Sequence, residues 1–331
     1  MDIVNLSQMD PDWNWLSTVA VDSGPLHWRH ASTQSVNVPP GIPKRETYKR
    51  ICAARRAAAM LDAPSSLLVS HGPRMTMYGA LALALRSRER RHLAYSFNFT
   101  ELPRGPILAL MRQAFKWVDR FVCFSTMERE LYADHFGLDI ARFDMIHWAA
   151  RPPAESSGRD ASLPAQYICA IGSQGRDYPT LMDAMRRLPQ VPLVLVATPE
   201  SLVGASVPSN VHVRCNIPSD EAMAILRGAR FNVVPLSGSK VPCGHVTLVA
   251  AMHCDKANIV TESAGVADYV QNEVNGLTVA PLEPAALASS IERMWCDATL
   301  AARLGASAGA FARANCGEQA AVAYFESYLR A

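Results

Sequence analysis

The sequence lacks any long apolar run. No stretch of its 331 residues approaches the ~18 consecutive apolar residues that a membrane-spanning helix needs. The opening residues, MDIVNLSQMD, also lack the basic-then-apolar pattern of a secretory signal peptide, so we expect a cytoplasmic protein. Apolar residues nevertheless make up 49% of the chain, which excludes a disordered protein and leaves enough material for sizeable cores.

Several enzyme motifs are also absent. The sequence has no G-x-S-x-G, Walker A or H-E-x-x-H pattern, so the usual signatures of hydrolases, nucleoside triphosphatases and metalloproteases are missing. None of the eight cysteines forms a C-x-x-C pair. Because several of them lie in apolar runs, we predict buried thiols rather than disulfides.

Four residues have the side chains of a metal site but not its spacing. Cys243 and His245 precede a predicted helix, and His253 and Cys254 end it. The two pairs are then separated by roughly 12 Å, at ~1.5 Å per helical residue. A zinc ion needs all of its ligands within about 2.3 Å, so we predict no metal here.

The formal net charge is only +2, but it is unevenly distributed. Residues 44–91 contain 11 basic residues against 3 acidic ones. Such a segment suits nucleic acid, lipid headgroups or phosphorylated substrates, and a solvated helix face is the structural alternative. Because the segment lacks interleaved aromatic residues, we do not expect nucleic-acid binding.

Short apolar runs alternate with helical patterns through most of the chain, which is typical of parallel α/β sheets. Residues 1–60, by contrast, show no clear β-α-β pattern. The predicted strands lie at 66–70, 92–97, 120–124, 143–148, 167–171, 191–197, 211–213, 231–236, 258–261 and 277–279. The helices predicted between and after them lie at 75–85, 107–118, 126–136, 181–188, 219–226, 246–252, 266–270, 284–295 and 319–328.

A stretch rich in Pro and Ser, residues 151–159, is the best candidate for a linker. It separates a first domain, residues 1–152, from a second, residues 153–315, and a final helix occupies residues 316–331. Two doubly wound domains joined in this way are expected to face each other across a cleft. Ligands of parallel sheets bind beyond the carboxyl ends of the strands, so the loops there are the places to look for chemistry.

The loop after residues 231–236 is a candidate anion site. Gly244 allows a ligand to approach the backbone, and the N–H groups of Val246 and Thr247 open a helix whose positive end favours phosphate. Lys240 adds a full positive charge. The alternative is an ordinary strand–loop–helix connection with a surface lysine.

The loop after residues 167–171 reads Gly-Ser-Gln-Gly-Arg and is not a dinucleotide fingerprint. The planar fork of Arg176 suits phosphate oxygens, and a surface arginine near a helix start is the alternative. In the first half, His71 and Arg74 follow one strand, and Asn98 and Glu101 follow the next. Such a His or Glu can position or deprotonate a hydroxyl, although a structural role is equally ordinary for each.

From residue 231 to 279 the sequence resembles the GT-B glycosyltransferases, in particular glycosyltransferase family 4. The motifs that carry the resemblance are Phe231-Asn232-Val233-Val234-Pro235, Gly244 to Met252, Lys256, Ile259-Val260-Thr261, Gly265, Asp268-Tyr269-Val270 and Asn275-Gly276-Leu277. Weaker similarity extends over residues 66–331, where Arg176 to Leu181 looks like the first donor-side helix.

This resemblance implies an α/β GT-B architecture, with two Rossmann-like doubly wound domains facing across a cleft. It implies a hexosyltransferase that moves a sugar from a nucleotide-sugar donor to an acceptor hydroxyl, with retention and without metal, in polysaccharide or glycoconjugate biosynthesis. No separate cofactor is implied. We expect UDP or GDP in the donor and a sugar or a lipid-linked acceptor.

The loops at the predicted strand ends, taken together with this resemblance, give the candidate site residues. The predicted catalytic residues are His71, Asn98 and Glu101, and the predicted acceptor or membrane contacts are Arg74, Lys49 and Arg50. The predicted donor-binding residues are Gly172, Ser173, Gln174, Arg176, Lys240, Cys243, Gly244, His245, Val246 and Thr247.

The sequence departs from the family at one motif. The family has two glutamates seven residues apart around the donor loop, one for the donor sugar and one for its ribose, and here these positions are Pro242 and Ala250. Contacts from Cys243, His245 or Thr247 can replace them. The alternative functions are therefore a non-catalytic nucleotide-sugar-binding partner subunit and a nucleotide-sugar epimerase on the same fold.

The resemblance gives the basic segment and the last helix a role. Many acceptors of such enzymes are lipid-linked, and each basic residue near an anionic surface contributes about 1 kcal/mol. We therefore expect a cytoplasmic protein that is peripheral on the inner face of the cell membrane. The last helix is expected to cross back to the first domain, where Phe325 and Leu329 would pack.

Overall fold

The computed structural model describes residues 1–9, 19, 25–63, 65–86, 91–154, 162–238 and 242–330. The chain divides into two compact units. Unit 1 comprises Met1–Ile146 and Ala321–Ala331, and unit 2 comprises His147–Ala320. Within the described ranges, no helix combines the length and the apolar character that crossing a bilayer requires.

Unit 1 is built on six parallel strands in the order β2-β1-β3-β4-β5-β6. Its strands are β1 (Asp2–Ser7), β2 (His27–Ser32), β3 (Leu67–His71), β4 (Arg91–Tyr95), β5 (Arg120–Cys123) and β6 (Phe143–Met145). Residues 1–60, where the sequence shows no clear β-α-β pattern, contribute β1 and β2 to this sheet, and neither strand was predicted. They were missed because β2 is a polar edge strand, HWRHAS, with an exposed first residue, and because a buried Asn5 interrupts the apolar run of β1.

In the described part of unit 1, four α-helices precede residue 147. They are α1 (Arg45–Ala59), α2 (Pro73–Ala84), α3 (Gly105–Ala114) and α4 (Thr126–Phe136). Pro73 suits the first turn of α2, and the hydroxyl of Ser125 caps α4 by accepting from the backbone N–H of Glu128 at 3.2 Å. The predicted helix over 107–118 ends early, at Ala114, where a short 3₁₀ turn follows.

Unit 2 also contains six parallel strands, in the order β12-β11-β10-β7-β8-β9. Its strands are β7 (Ile168–Ile171), β8 (Leu193–Ala197), β9 (Val211–Cys215), β10 (Asn232–Val234), β11 (Asn258–Thr261) and β12 (Leu277–Val279). The strands β7 and β8 are buried along their full length, as expected for a sheet that is covered on both faces. The chain adds strands on one side of β7 and then on the other, so the gap between β7 and β10 is a topological switch point.

Among the described residues of unit 2, five α-helices are present. They are α5 (Tyr178–Arg186), α6 (Ser219–Gly228), α7 (His245–His253), α8 (Pro284–Cys296) and α9 (Ala298–Asn315). The predicted helix over 266–270 is wrong, because these residues form turns. The helix α9 was not predicted; a Cβ on its Gly305 would lie 2.2 Å from the carbonyl oxygen of Asp255, so only glycine permits this packing.

The last helix, α10 (Glu318–Arg330), ends the chain on unit 1 from residue 321 onward. Phe325 is fully buried, and its ring centroid lies 5.0 Å from that of Tyr95. Leu329 packs against the same apolar cluster. The hydroxyl of Tyr324 donates to Asp144 at 2.8 Å, which ties the helix to β6.

All eight cysteines lie within the described ranges and are thiols. The prediction that they are buried is only partly right. Cys123, Cys169 and Cys316 are buried, whereas Cys215 and Cys296 are exposed.

Candidate functional site

The switch point of unit 2 brings two of the predicted donor loops together. One loop follows β7 and the other follows β10, and these strands are neighbours in the sheet. The backbones of Arg176 and Leu236 pair as an antiparallel bridge just beyond the strand ends. The residues on both loops therefore lie at one edge of the sheet, where parallel α/β folds bind their ligands.

Arg176 is the central charge of this edge. Its guanidinium donates to the carbonyl oxygens of Ile171 at 3.1 Å and Gln174 at 3.0 Å. It also lies 3.5 Å from the hydroxyl oxygen of Thr247 at the start of α7. It forms no ion pair with any residue that the structure describes, and its buried Nε has no hydrogen-bond partner there.

Burial lowers the pKa of Arg176, but an arginine remains charged at neutral pH. Removing a cation from water without an anionic partner is costly. Arg176 is thus a positive charge positioned by carbonyl oxygens and left without a carboxylate. Such a group is suited to a carboxylate or phosphate ligand.

Two glycines make room for the guanidinium. Gly172 has a φ of 116°, and a Cβ there would lie 2.6 Å from Nη2 of Arg176. Gly244 has a φ of 97° and is the N-cap of α7; a Cβ there would lie 3.2 Å from Cγ1 of Val234. Both positions therefore require glycine, on conformational and on steric grounds.

The first turn of α7 faces the same edge. Its N-cap supplies no side-chain cap, and its first turn contains no acidic residue. The hydroxyl of Thr247 donates to the carbonyl oxygen of Ile171 at 3.2 Å, so it fixes this helix start against β7. Val246 is 59% exposed. The uncapped N–H groups and the positive end of the helix add to the charge of Arg176.

The other predicted donor residues make mostly structural contacts. Nε2 of His245 donates to the carbonyl oxygen of Gly265 at 2.7 Å, and burial lowers the pKa of this imidazole. The Ser173 hydroxyl accepts from the backbone N–H of Thr198 at 2.8 Å. Cys243 donates to the carbonyl oxygen of Gly175 at 3.7 Å, and Gln174 is exposed. The predicted Lys240 lies outside the described residues.

The four residues considered as a metal set are divided between the two ends of α7. His253 lies at the last turn of α7, where its Nε2 donates to the carbonyl oxygen of Cys316 at 3.2 Å. It forms no hydrogen bond with the other three residues. Within the described ranges, no three His, Cys, Asp or Glu side chains converge in a metal-binding arrangement.

Unit 1 contains a cavity of about 490 Å³ beyond the ends of β3 and β4. Three of the predicted residues line it, namely Arg74, Asn98 and Glu101. Glu101 is exposed and is the single carboxylate among the lining residues. The structure therefore brings together residues from the loops after two neighbouring strands.

His71 is not among the residues that line the cavity. Its Nε2 donates to Oδ1 of Asn5 at 2.6 Å, and the amide nitrogen of Asn5 donates to Nδ1 of His30 at 3.2 Å. Burial, and secondarily the neighbouring His30, lower the pKa of His71 to about 3. At neutral pH His71 is thus an uncharged imidazole and a weak base.

The predicted contacts Lys49 and Arg50 lie on α1. Lys49 pairs with Glu46 at 3.5 Å, and its side chain is 18% exposed. Arg50 is half-buried. The basic residues that α1 does expose are Arg45, Arg55 and Arg56, next to Tyr48 and Ile51, which are 43% and 40% exposed.

Sequence analysis missed Asn5, His30, Arg104 and Tyr132. Asn5 was detectable in principle, because a buried amide inside an apolar strand needs a partner. Arg104 lines the cavity just before α3. The hydroxyl of Tyr132 accepts from the backbone N–H of Phe99, which also lines the cavity. No local signal identifies these last two, because their roles depend on the tertiary fold.

Part of unit 2 is similar to a known protein family. Residues 166–297 match the family described as Glycosyl transferases group 1. This match covers less than half of the chain, and it confirms the resemblance that the motifs of this segment indicate. None of the curated proteins matches the chain significantly.

Solved structures confirm the two-unit α/β architecture as GT-B. Sucrose-phosphate synthase from Thermosynechococcus elongatus is 20% identical, with a TM-score of 0.69 over 99% of this chain and 88% of that one. Anabaena HepE in complex with UDP and glucose is 14% identical, with a TM-score of 0.71 over 99% of this chain and 98% of HepE. Trehalose-6-phosphate synthase from E. coli, bound with UDP-2-fluoro glucose, is 11% identical, with a TM-score of 0.71 over 99% of this chain and 98% of the synthase.

Proposed function

We propose that the chain, which is similar to the group 1 glycosyl transferases over residues 166–297, transfers a hexosyl group from a nucleotide-sugar to an acceptor hydroxyl. The donor binds at the switch point of unit 2 around Arg176. The acceptor binds in the cavity of unit 1. Transfer proceeds with retention at the anomeric carbon, and it uses neither a metal nor a separate cofactor.

The observation that carries this proposal is the charge at the switch point. Arg176 is half-buried, is positioned by two carbonyl oxygens and forms no ion pair with a described residue. It lies within 3.5 Å of Thr247, in the first turn of an uncapped helix. A diphosphate placed here receives both a guanidinium and helix N–H groups.

The same charges serve the chemistry. In transfer, the bond between the anomeric carbon and the diphosphate oxygen breaks, and the acceptor oxygen forms the new bond to that carbon. The acceptor proton passes to the departing nucleoside diphosphate. Negative charge therefore grows on the diphosphate in the transition state, where Arg176 and the start of α7 stabilise it.

The nucleotide is UDP or GDP. Among the structures that share the fold, HepE was solved with UDP and glucose. Trehalose-6-phosphate synthase was solved with UDP-2-fluoro glucose. These similarities support a nucleotide-sugar donor. The positions Pro242 and Ala250, without the family's paired glutamates, favour an unusual contact to the donor sugar. They are also the observation that favours the second candidate function, a nucleotide-sugar-binding subunit without activity.

The product belongs to polysaccharide or glycoconjugate biosynthesis, and the acceptor is a sugar or a lipid-linked sugar. The exposed residues Arg45, Arg55 and Arg56 support contact with anionic lipid on the cytoplasmic face of a membrane. Flotation with phosphatidylglycerol vesicles tests this part of the proposal. A triple Gln variant should lose binding, and equal binding by the variant would refute membrane contact through α1.

The experiment that tests donor binding is a thermal-shift screen against UDP-glucose, GDP-mannose, ADP-glucose and dTDP-glucose in the presence of EDTA. A ligand at about 100 times its dissociation constant adds roughly 2.7 kcal/mol of stability. We expect a shift with one nucleotide class that disappears in Arg176→Ala. The matched control is Arg187→Ala, an exposed arginine whose side chain bonds no described residue.

Two outcomes of this screen would refute the donor site at Arg176. If no nucleotide-sugar shifts the melting temperature, the donor site is refuted. If Arg176→Ala and Arg187→Ala both keep the full shift, the nucleotide binds elsewhere.

A further inference from the structure

The cavity of unit 1 is lined by both basic and apolar side chains. Arg74 and Arg104 both line it, and both are exposed. Neither side chain forms a hydrogen bond or an ion pair with any described residue. Two guanidinium groups thus share one cavity and have no carboxylate partner, although Glu101 lines the same cavity.

The backbone adds positive charge to the same cavity. Arg74 lies in the first turn of α2, and Arg104 is the N-cap of α3. Neither helix has an acidic residue in its first turn, and neither N-cap side chain bonds the helix. The two arginines and two uncapped helix starts therefore favour an anionic group inside the cavity.

Apolar side chains also line the cavity. Leu102 and Ile107 are half-buried and Met111 is buried, and all three line the cavity. The volume of about 490 Å³ lies within the ~300–1,000 Å³ that is typical of small-molecule sites. A ligand with one anionic group and a carbon skeleton matches this combination of side chains.

We propose that the acceptor is a phosphomonoester whose phosphate is bound by Arg74 and Arg104 in the cavity of unit 1. The inference rests on the proposed function, since it takes this cavity to be the acceptor side. The carbon skeleton of the acceptor lies along Leu102, Ile107 and Met111. Its free hydroxyl faces Asn98 and Glu101, the polar residues at the other strand end.

Phosphate chemistry of this kind has two sources, a soluble sugar phosphate and a lipid phosphate. Two matched pairs of probes distinguish them. Glucose 6-phosphate is compared with glucose in buffer. 1-Oleoyl lysophosphatidic acid, which keeps a free hydroxyl beside its phosphate, is compared with 1-oleoylglycerol in detergent micelles. Binding is measured by calorimetry on the full chain, without donor, so that the readout does not depend on activity.

We expect the phosphorylated member of one pair to bind at least tenfold more tightly than its unphosphorylated partner. Arg74→Gln and Arg104→Gln should each weaken that binding about tenfold, which corresponds to about 1.4 kcal/mol. Lys116→Gln is the matched control, because Lys116 is exposed in unit 1 and lies outside the cavity, and its ammonium group bonds only Gln113 among the described residues. Its binding should equal that of the wild type.

The result that overturns the proposal is equal binding within both pairs, or a phosphate preference that survives both arginine substitutions. Because both arginines are exposed, the variants should retain the wild-type melting temperature. If a variant melts at a lower temperature, its affinity is calculated from the fraction of protein that is folded. Failure of the proposed function is a separate result. The proposed function fails if no nucleotide-sugar binds the wild-type protein in the thermal-shift screen. The phosphate measurement contains no donor, so the two results are independent.

Discussion

The hydroxyl of Tyr132 accepts a hydrogen bond from the backbone N–H of Phe99 at 3.0 Å. The same hydroxyl donates to the carboxylate of Glu128 at 3.0 Å. Phe99 lies between Asn98 and Thr100, and all three line the cavity of unit 1. A fully buried tyrosine on α4 therefore fixes the loop that carries the candidate acceptor residues.

Substituting Tyr132→Phe should destabilise unit 1. The N–H of Phe99 would remain buried without its partner, at a cost of about 1–3 kcal/mol. Urea unfolding measures this loss, and Tyr48→Phe, at an exposed tyrosine of the same unit, should change stability by less than about 0.5 kcal/mol. Equal stability of Tyr132→Phe and Tyr48→Phe would show that the loop does not depend on this hydroxyl.

Glu128 should make the stability of the protein depend on pH. Burial raises the pKa of this carboxyl from its ordinary value of 4.5 to about 7, against hydrogen bonds that lower it. The unfolded chain thus releases this proton at lower pH than the folded chain does. The contribution of Glu128 to stability should fall by about 2 kcal/mol between pH 5 and pH 8.

Urea unfolding at pH 5 and pH 8 checks this prediction by comparing Glu128→Gln with Glu130→Gln. Glu130 is exposed on the same helix, so its variant should keep the wild-type pH dependence. The Glu128→Gln variant should lose about 2 kcal/mol of that dependence. A wild-type dependence retained in Glu128→Gln would contradict the account.

Gly172→Ala should abolish donor binding without unfolding unit 2. The added Cβ would meet Nη2 of Arg176 at 2.6 Å, so the guanidinium must move. Gly204→Ala is the matched control, because Gly204 also has a positive φ, of 81°, but nothing lies within 4 Å of the added Cβ. Both variants carry backbone strain of order 1–3 kcal/mol. Only Gly172→Ala should lose the thermal shift caused by the nucleotide-sugar.

His71 should remain uncharged across the physiological range. Its pKa is lowered to about 3, mainly by burial, and its Nε2–H bond to Asn5 requires the Nε2 tautomer. Nitrogen-15 NMR of the imidazole rings, with His71→Gln for assignment, should show one neutral tautomer from pH 5 to pH 8. A titration of His71 within that range would refute the buried network with Asn5.

Local patterns predicted the elements that face apolar surroundings on both sides. The runs at β7 and β8 are apolar throughout and fully buried, so their strands were predicted within two residues. The edge strand β2 is polar, and α9 buries mostly alanine and glycine beside two leucines, so neither was predicted. In both cases the tertiary neighbour, and not the local pattern, determines the element.

The residues of the candidate site also fall into those that a local pattern predicts and those that it does not. Arg176 and Gly244 follow strands in sequence, and the rule that ligands bind at strand ends was enough to select them. The partner of His71 is Asn5, 66 residues earlier in the chain. Arg104 joins Arg74 in the cavity only because the loop after β4 folds beside the start of α2. Such long-range proximity has no signal in a single sequence.

The measurement that tests the account most directly is the rate of nucleoside diphosphate release from the donor selected by the thermal-shift screen. Arg176→Ala should lower kcat by about 10²–10³-fold, because it removes a charge that stabilises the departing diphosphate. Arg187→Ala should keep the wild-type rate. A wild-type kcat in Arg176→Ala would contradict the assignment of the switch point of unit 2 as the donor site.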